Sequence, residues 1–283
     1  MITDIRADGL IVISDLHVGS PYFGAMRQTL EIIDYAVQKR FDLCLNGDVF
    51  DIVQASVGKL AHTGSEVIHA LQLMQDHGLK VYYVVGNHDI ILENFFESWK
   101  LMQLSPFLNL VSGDRRIRIE HGHLYDPAFT RNPGLYQVLT GAAGLGLKIF
   151  PGIYKLYNAY LACRYRPPKE IFSDTESRLP IHLWANESDH FLDGARALME
   201  RGFDDVVFGH THRQTVIDMG QGCRYFNTGA WFARGYFLEI QNGGVALRRW
   251  QMKHPPAARS HPNPSDASQT YQVSDRRILP KRK

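Results

Sequence analysis

Five short runs in this 283-residue chain carry side chains of the kind that ligate metal ions: Asp15-Leu16-His17, Asp48, Asn87-His88-Asp89, His121-Gly122-His123 and His210-Thr211-His212. Carboxylate, amide oxygen and imidazole with no thiolate among them suit Mn, Fe, Co, Ni or Zn at a reactive centre, and argue against a structural zinc site. One carboxylate can bridge two ions about 3.5–4 Å apart, and such a pair clamps the attacking and leaving oxygens of an in-line phosphoryl displacement. Any one of these histidines alone reads as a cap or a surface residue. Five such runs in order serve no structural need, and they point to phosphoester hydrolysis.

Each run follows a segment that reads as a strand. Leu10–Ser14, Leu43–Asn46 and Val81–Val85 are short, apolar and β-branched or aromatic, as buried strands are. Helical spacing fills Ala25–Lys39, Ser65–Asp76 and Ile91–Met102 between and after them. Arg115–Glu120 alternates as a half-exposed strand, Glu187–Arg201 is helical, and Val206–Phe208 is a strand. Thr215–Asp218, Cys223–Asn227, Gly235–Ile240 and Val245–Trp250 read as antiparallel strands joined by glycine-containing turns. Strands alternating with helices make an α/β sheet, and loops at strand ends can converge on one crevice.

Composition narrows the partners. Hydrophobic residues are 45% and charged residues 21% of the chain, an ordinary soluble balance, and Lys+Arg 31 against Asp+Glu 29 gives +2. Lys253–Lys283 holds seven basic residues and two acids, which leaves 24 basic against 27 acidic residues, or −3, on the body. A nucleic-acid footprint is missing from that body, so no nucleic-acid partner is expected. The tail, with Pro255, Pro256, Pro262 and Pro264 among polar residues, is expected to be a disordered basic end beyond a folded domain over 1–252. Three scattered cysteines, no CxxC pair, no signal-peptide pattern and no apolar spanning segment fit a reducing cytoplasm.

The ordered motifs DLH, GDVFD, GNHD, HGH and GHTH resemble the calcineurin-like metallophosphoesterase superfamily over about Leu10–Trp250. That resemblance implies a four-layer α/β/β/α sandwich with the metal site at the sheets' edge. It implies that Asp15, His17 and His212 hold one divalent ion and Asn87, His121 and His210 a second, with Asp48 bridging. Manganese is the first expectation, with Fe, Zn, Co or Ni as alternatives. A hydroxide shared by the two cations would attack phosphorus. His88 would stabilise the developing charge or protonate the leaving group. Asp89 would hold the tautomer of His88, cap the helix ahead of Ile91, or both. His123 is expected to support the site rather than to ligate.

The superfamily's protein phosphatases carry GDxVDRG and GNHE, whereas Gly47–Asp51 and Gly86–Asp89 lack that arginine and end in Asp. The segment over about 125–180 is rich in Gly, Tyr, Leu and Pro and is expected to form short amphipathic helices. In place and composition it resembles the helical lid of bacterial UDP-2,3-diacylglucosamine pyrophosphohydrolases. Such a lid would offer Leu135, Leu139, Phe150, Tyr154 and neighbouring apolar residues to acyl chains, and Arg164, Arg166 and Lys169 to phosphate. It would also allow peripheral contact with the inner membrane. That branch carries Arg where this chain has His88, so a small nucleotide or phosphodiester stands as the alternative substrate. A nuclease and a non-catalytic binding module stand behind it.

Overall fold

A computed structural model of the protein describes residues 4–20, 23–52, 55, 57–89, 101–136, 138, 139, 142, 169–172, 180–183 and 187–251. The chain divides into two units, Met1–Gln251 and Met252–Lys283, and every described residue lies in the first. The tail, Phe150, Tyr154, Arg164 and Arg166 lie outside the described residues.

Fourteen strands are described: β1 (Ile5–Arg6), β2 (Gly9–Ile13), β3 (Asp42–Asn46), β4 (Val81–Val84), β5 (Gln103–Ser105), β6 (Phe107–Ser112), β7 (Arg115–Glu120), β8 (Lys169–Phe172), β9 (Pro180–Leu183), β10 (Asp205–Phe208), β11 (Thr215–Gly220), β12 (Cys223–Asn227), β13 (Tyr236–Gln241) and β14 (Gly244–Arg249). The helices are α1 (Met26–Lys39), α2 (Val57–Asp76), α3 (Pro127–Arg131), α4 (Asp189–Met199) and α5 (Trp231–Arg234). They build two six-stranded mixed sheets, ordered β14-β13-β2-β3-β4-β5 and β1-β6-β7-β10-β12-β11.

Side chains alternate across each strand, so β2 turns Leu10 and Val12 to one face and Ile11 and Ile13 to the other, and both faces are buried. Leu10, Val12, Cys44, Tyr82 and Val84 pack with Leu108, Leu110, Ile117, Ile119, Val207 and Phe226 of the second sheet. Ile11, Ile13, Leu43, Leu45 and Tyr83 pack instead against Ile32 and Ile33 of α1 and Val67, Leu71 and Met74 of α2. On the far side, Phe191, Ala195 and Leu198 of α4 cover Val206, Phe208 and Tyr225. Helix, sheet, sheet and helix form the four layers of the expected sandwich.

Several elements differ from the sequence reading. Helix α2 begins at Val57, eight residues before the first expected position. Of the helix expected over Ile91–Met102 only its last two residues are described, and these lead without helical structure into β5. Strands β1, β5 and β6 were not expected: β1 is only two residues long, and β5 is a short, largely polar edge strand. Strand β12 pairs antiparallel with β11 but parallel with β10. Within the segment expected to be helical, β8 and β9 form an antiparallel hairpin that begins at Lys169.

Candidate metal centre

Strands β2, β3 and β4 run parallel, as do β7 and β10, and all five motifs leave the carboxyl ends of these strands. Three loops come from one sheet and two from the other, and cross-loop backbone bonds lock them. The His17 N–H donates to the Asp48 carbonyl (2.9 Å) and the Gly209 N–H to the His121 carbonyl (3.0 Å). Packing this tight explains two motif glycines. A Cβ on Gly47, whose φ is +77°, would overlap the His121 ring, and one on Gly86 would overlap the Asp48 carboxylate. Five candidate ligands are themselves left-handed: Asp15 (φ 52°), His17 (51°), Asp48 (52°), His210 (65°) and His212 (57°). Such a backbone costs on the order of 1 kcal/mol per residue and marks loops shaped for a site.

Three overlapping groups of side chains could each hold a metal ion, with ligand atoms within 4.8 Å of one another: Asp15, His17 and His212; His17, Asp48 and His88; and Asp48, His121 and His210. Asp48 is central. Its Oδ2 lies 3.4 Å from His121 Nε2 and 3.9 Å from both His17 Nε2 and His88 Nε2. Its Oδ1 accepts from the His88 backbone N–H (2.9 Å). Asp15 Oδ1 lies 3.1 Å from His212 Nε2, and Asp15 Oδ2 accepts from the His210 backbone N–H (3.1 Å). Asn87 is buried beside them, and its Oδ1 has no hydrogen-bond partner.

The electrostatics are those of a cation site. Burial alone would raise the Asp48 carboxyl, yet His121, His88 and His17 hold it well below its ordinary range. Reciprocally, burial disfavours charge on His121 and His88, but the surrounding carboxylates push them up to about 10 and about 9. His123 is driven down to about 3 by burial and by repulsion from His121 and His210. Buried carboxylates thus draw protons onto nearby imidazoles in a protein without ions. The buried Asn87 Oδ1 and His121 Nε2, neither hydrogen-bonded, are the acceptor atoms that a divalent cation requires. The donor set fits a metal on these grounds.

The structure brings Asp51, not Asp89, to the ring of His88. Asp51 Oδ1 lies 3.2 Å from His88 Nδ1, and Oδ2 lies 3.4 Å from His17 Nδ1. Asp89 instead braces loops: its carboxylate accepts from the Gly86 N–H (2.7 Å), the Val49 N–H (2.8 Å) and the Tyr83 hydroxyl (2.5 Å). His123 is buried with its ring 5.0 Å from Phe129 and 5.6 Å from His121, and it belongs to none of the three groups. Phe232 stands edge-on to His17 (5.5 Å) and His212 (5.8 Å), whereas Trp231 is core, donating from Nε1 to Thr29 Oγ1 (2.9 Å).

Two further acids were missed by the sequence reading. Asp126 Oδ2 accepts from His210 Nε2 (2.9 Å). Glu187, buried, accepts from Arg213 (2.6 Å), the Thr211 hydroxyl (2.9 Å) and Asn227 Nδ2 (3.3 Å). Asp126-Pro127 has the signature of a helix N-cap and could have been read as one, whereas no local signal marks Glu187.

The calcineurin-like phosphoesterase family profile matches residues 10–214, and the chain belongs to that family. It is a metal-dependent phosphoester hydrolase. Among its relatives, the UDP-2,3-diacylglucosamine hydrolase of Pseudomonas putida strain F1 is 25% identical over 250 residues, covering 84% of this chain and 97% of the relative. The enzyme of that name from Pseudomonas fluorescens strain Pf0-1 is 26% identical over 261 residues, covering 89% and 99%. A solved structure of a dimetal phosphatase from Danio rerio covers 86% of this chain and 96% of its own at 12% identity, with a TM-score of 0.47.

Proposed function

We propose that the chain binds two divalent ions, manganese first, and hydrolyses the pyrophosphate of a lipid-linked nucleotide, UDP-2,3-diacylglucosamine or a close analogue. The observation that carries the two-ion reading is the position of Asp48, whose carboxylate belongs to groups on both sides of it. Asp15, His17 and His212 would hold one ion, Asn87, His121 and His210 the other, and Asp48 both. The ions would lower the pKa of a water molecule and offset the charge on the phosphoryl oxygens.

The chain's own side chains do the rest. Asp51 fixes the proton of His88 on Nδ1 and leaves Nε2 toward the cluster, where a protonated ring can donate to a phosphoryl or leaving oxygen. Asp89 keeps the Gly86–Asp89 loop against the Val49 loop, so that Asn87 and His88 stay in register.

The relatives' printed name supports the lipid-linked substrate, and so do Leu124, Leu135, Val138 and Leu139, which are exposed apolar side chains just past the His121 motif. Acyl chains would seat there, with the enzyme cytoplasmic and peripheral to the inner membrane. Among the described residues no helix is long and apolar enough to cross a membrane.

Elemental analysis, together with hydrolysis of bis-p-nitrophenyl phosphate and of UDP-2,3-diacylglucosamine in Mn²⁺, tests the reading. Two equivalents of metal and release of UMP are expected. Bound metal with turnover of the aryl diester alone would overturn the lipid substrate in favour of a small phosphodiester, the alternative that His88 in place of Arg raises. Absence of metal and of turnover would overturn the hydrolytic reading.

A further inference from the structure

Every imidazole of the cluster needs its far nitrogen protonated and held, because a ligating ring must offer a lone pair from the near one. For His121 the partner is the Asn46 carbonyl, 2.9 Å from Nδ1. For His17 and His88 it is Asp51. His210 uses a carboxylate from outside all five motifs. Asp126 Oδ2 lies 2.9 Å from His210 Nε2, and the two side chains are 23% and 5% exposed. The other oxygen of Asp126 accepts from the Ala128 N–H (2.8 Å) and caps α3. The ring is then confined by Phe191, stacked at 6.1 Å, and by the edge of His121 at 5.3 Å.

We propose that Asp126 is a positioning residue for His210: it holds the proton on Nε2, leaves Nδ1 as the lone-pair nitrogen, and ties the first turn of the segment after the His121 motif to the metal centre. The inference rests on the two-ion reading. A helix cap alone is the competing role, and side-chain length separates the two. Serine at this position can still cap Ala128 but is too short to reach His210, whereas glutamate keeps two acceptor oxygens and the length to reach the ring.

Full-length wild type, D126S, D126E and D126A are titrated with Co²⁺, with calorimetry giving affinity and visible absorption giving ligand geometry. Wild type is expected to take up two ions. D126S and D126A are expected to bind one of the two about 10–100-fold more weakly, with a shifted absorption band, and D126E, whose carboxylate still accepts from the ring, to recover most of that loss. D126S with wild-type affinity and spectrum overturns the proposal and leaves Asp126 a cap. D126E no better than D126A overturns the hydrogen bond as its cause. A wild type that takes up fewer than two ions overturns the two-ion reading itself, and the proposal with it.

Discussion

The two sheets contribute unlike halves to the centre. Loops of the β2-β3-β4 sheet bring the three motif carboxylates that face imidazoles, Asp15, Asp48 and Asp51, together with Asn87, His17 and His88. The motifs of the β7-β10 sheet bring imidazoles to the three groups, His121, His210 and His212. The acidic half is braced largely by backbone: peptide N–H groups of His88, His210, Val49 and Gly86 hold Asp48, Asp15 and Asp89. The imidazole half is braced by acceptors beyond its own motifs, namely Asn46, Asp126 and Asp15 for the rings and Glu187 for the loop between His210 and His212. Negative charge is thus held by peptide N–H groups, three of the four from another loop. Imidazole orientation depends mainly on side-chain carboxylates, so substitutions in the two halves should differ in kind.

The largest effect is expected at the one carboxylate that serves both halves. Asp48→Asn should lower kcat on bis-p-nitrophenyl phosphate by about 10³-fold or more, with metal content falling in the same preparation. Full metal occupancy with normal turnover would remove Asp48 from the centre of the comparison.

A smaller loss is expected where a carboxylate acts through rings. Asp51→Asn can present an NH₂ where the His88 and His17 rings require an acceptor, and should cost about 10–100-fold in kcat. Steady-state kinetics beside Asp89→Asn sharpens the contrast, since Asp89 braces loops and its variant should lose thermal stability as well as rate.

The smallest effect is one of pH on the metal-stripped protein. His121 and His88 stand at about 10 and about 9, above the ordinary 6.5, because carboxylates face them. The stability they contribute is full below 6.5 and is lost as pH rises through 9 and then 10. Mn²⁺ on the same carboxylates should abolish that alkaline loss. Thermal unfolding between about pH 6 and 10 is expected to show a falling midpoint without metal and a flatter one with it, and parallel curves would contradict this account.

Much of this was legible because metal ligation and buried strands both write themselves locally. Asp15, His17, Asp48 and Asn87 sit at fixed offsets after apolar runs, and their convergence follows from parallel strands ending at one edge. Edge strands such as β1 and β5 left no such trace, being short or polar. Asp51 lay inside a motif already noted, yet its pairing with two rings is a tertiary fact. Glu187 was illegible for the same reason: its partners Thr211, Arg213 and Asn227 are distant in sequence.

Asp126 and Glu187 bound the segment between the His121 motif and α4, and both hydrogen-bond to the short loop from His210 to Arg213. Its two ends are therefore fastened to one place whatever lies between them, which makes the segment a cassette. Doubling the length of such a closed loop adds only about 0.6 kcal/mol of closure entropy. Selection could lengthen, shorten or replace the cassette while the residues beneath it kept their places.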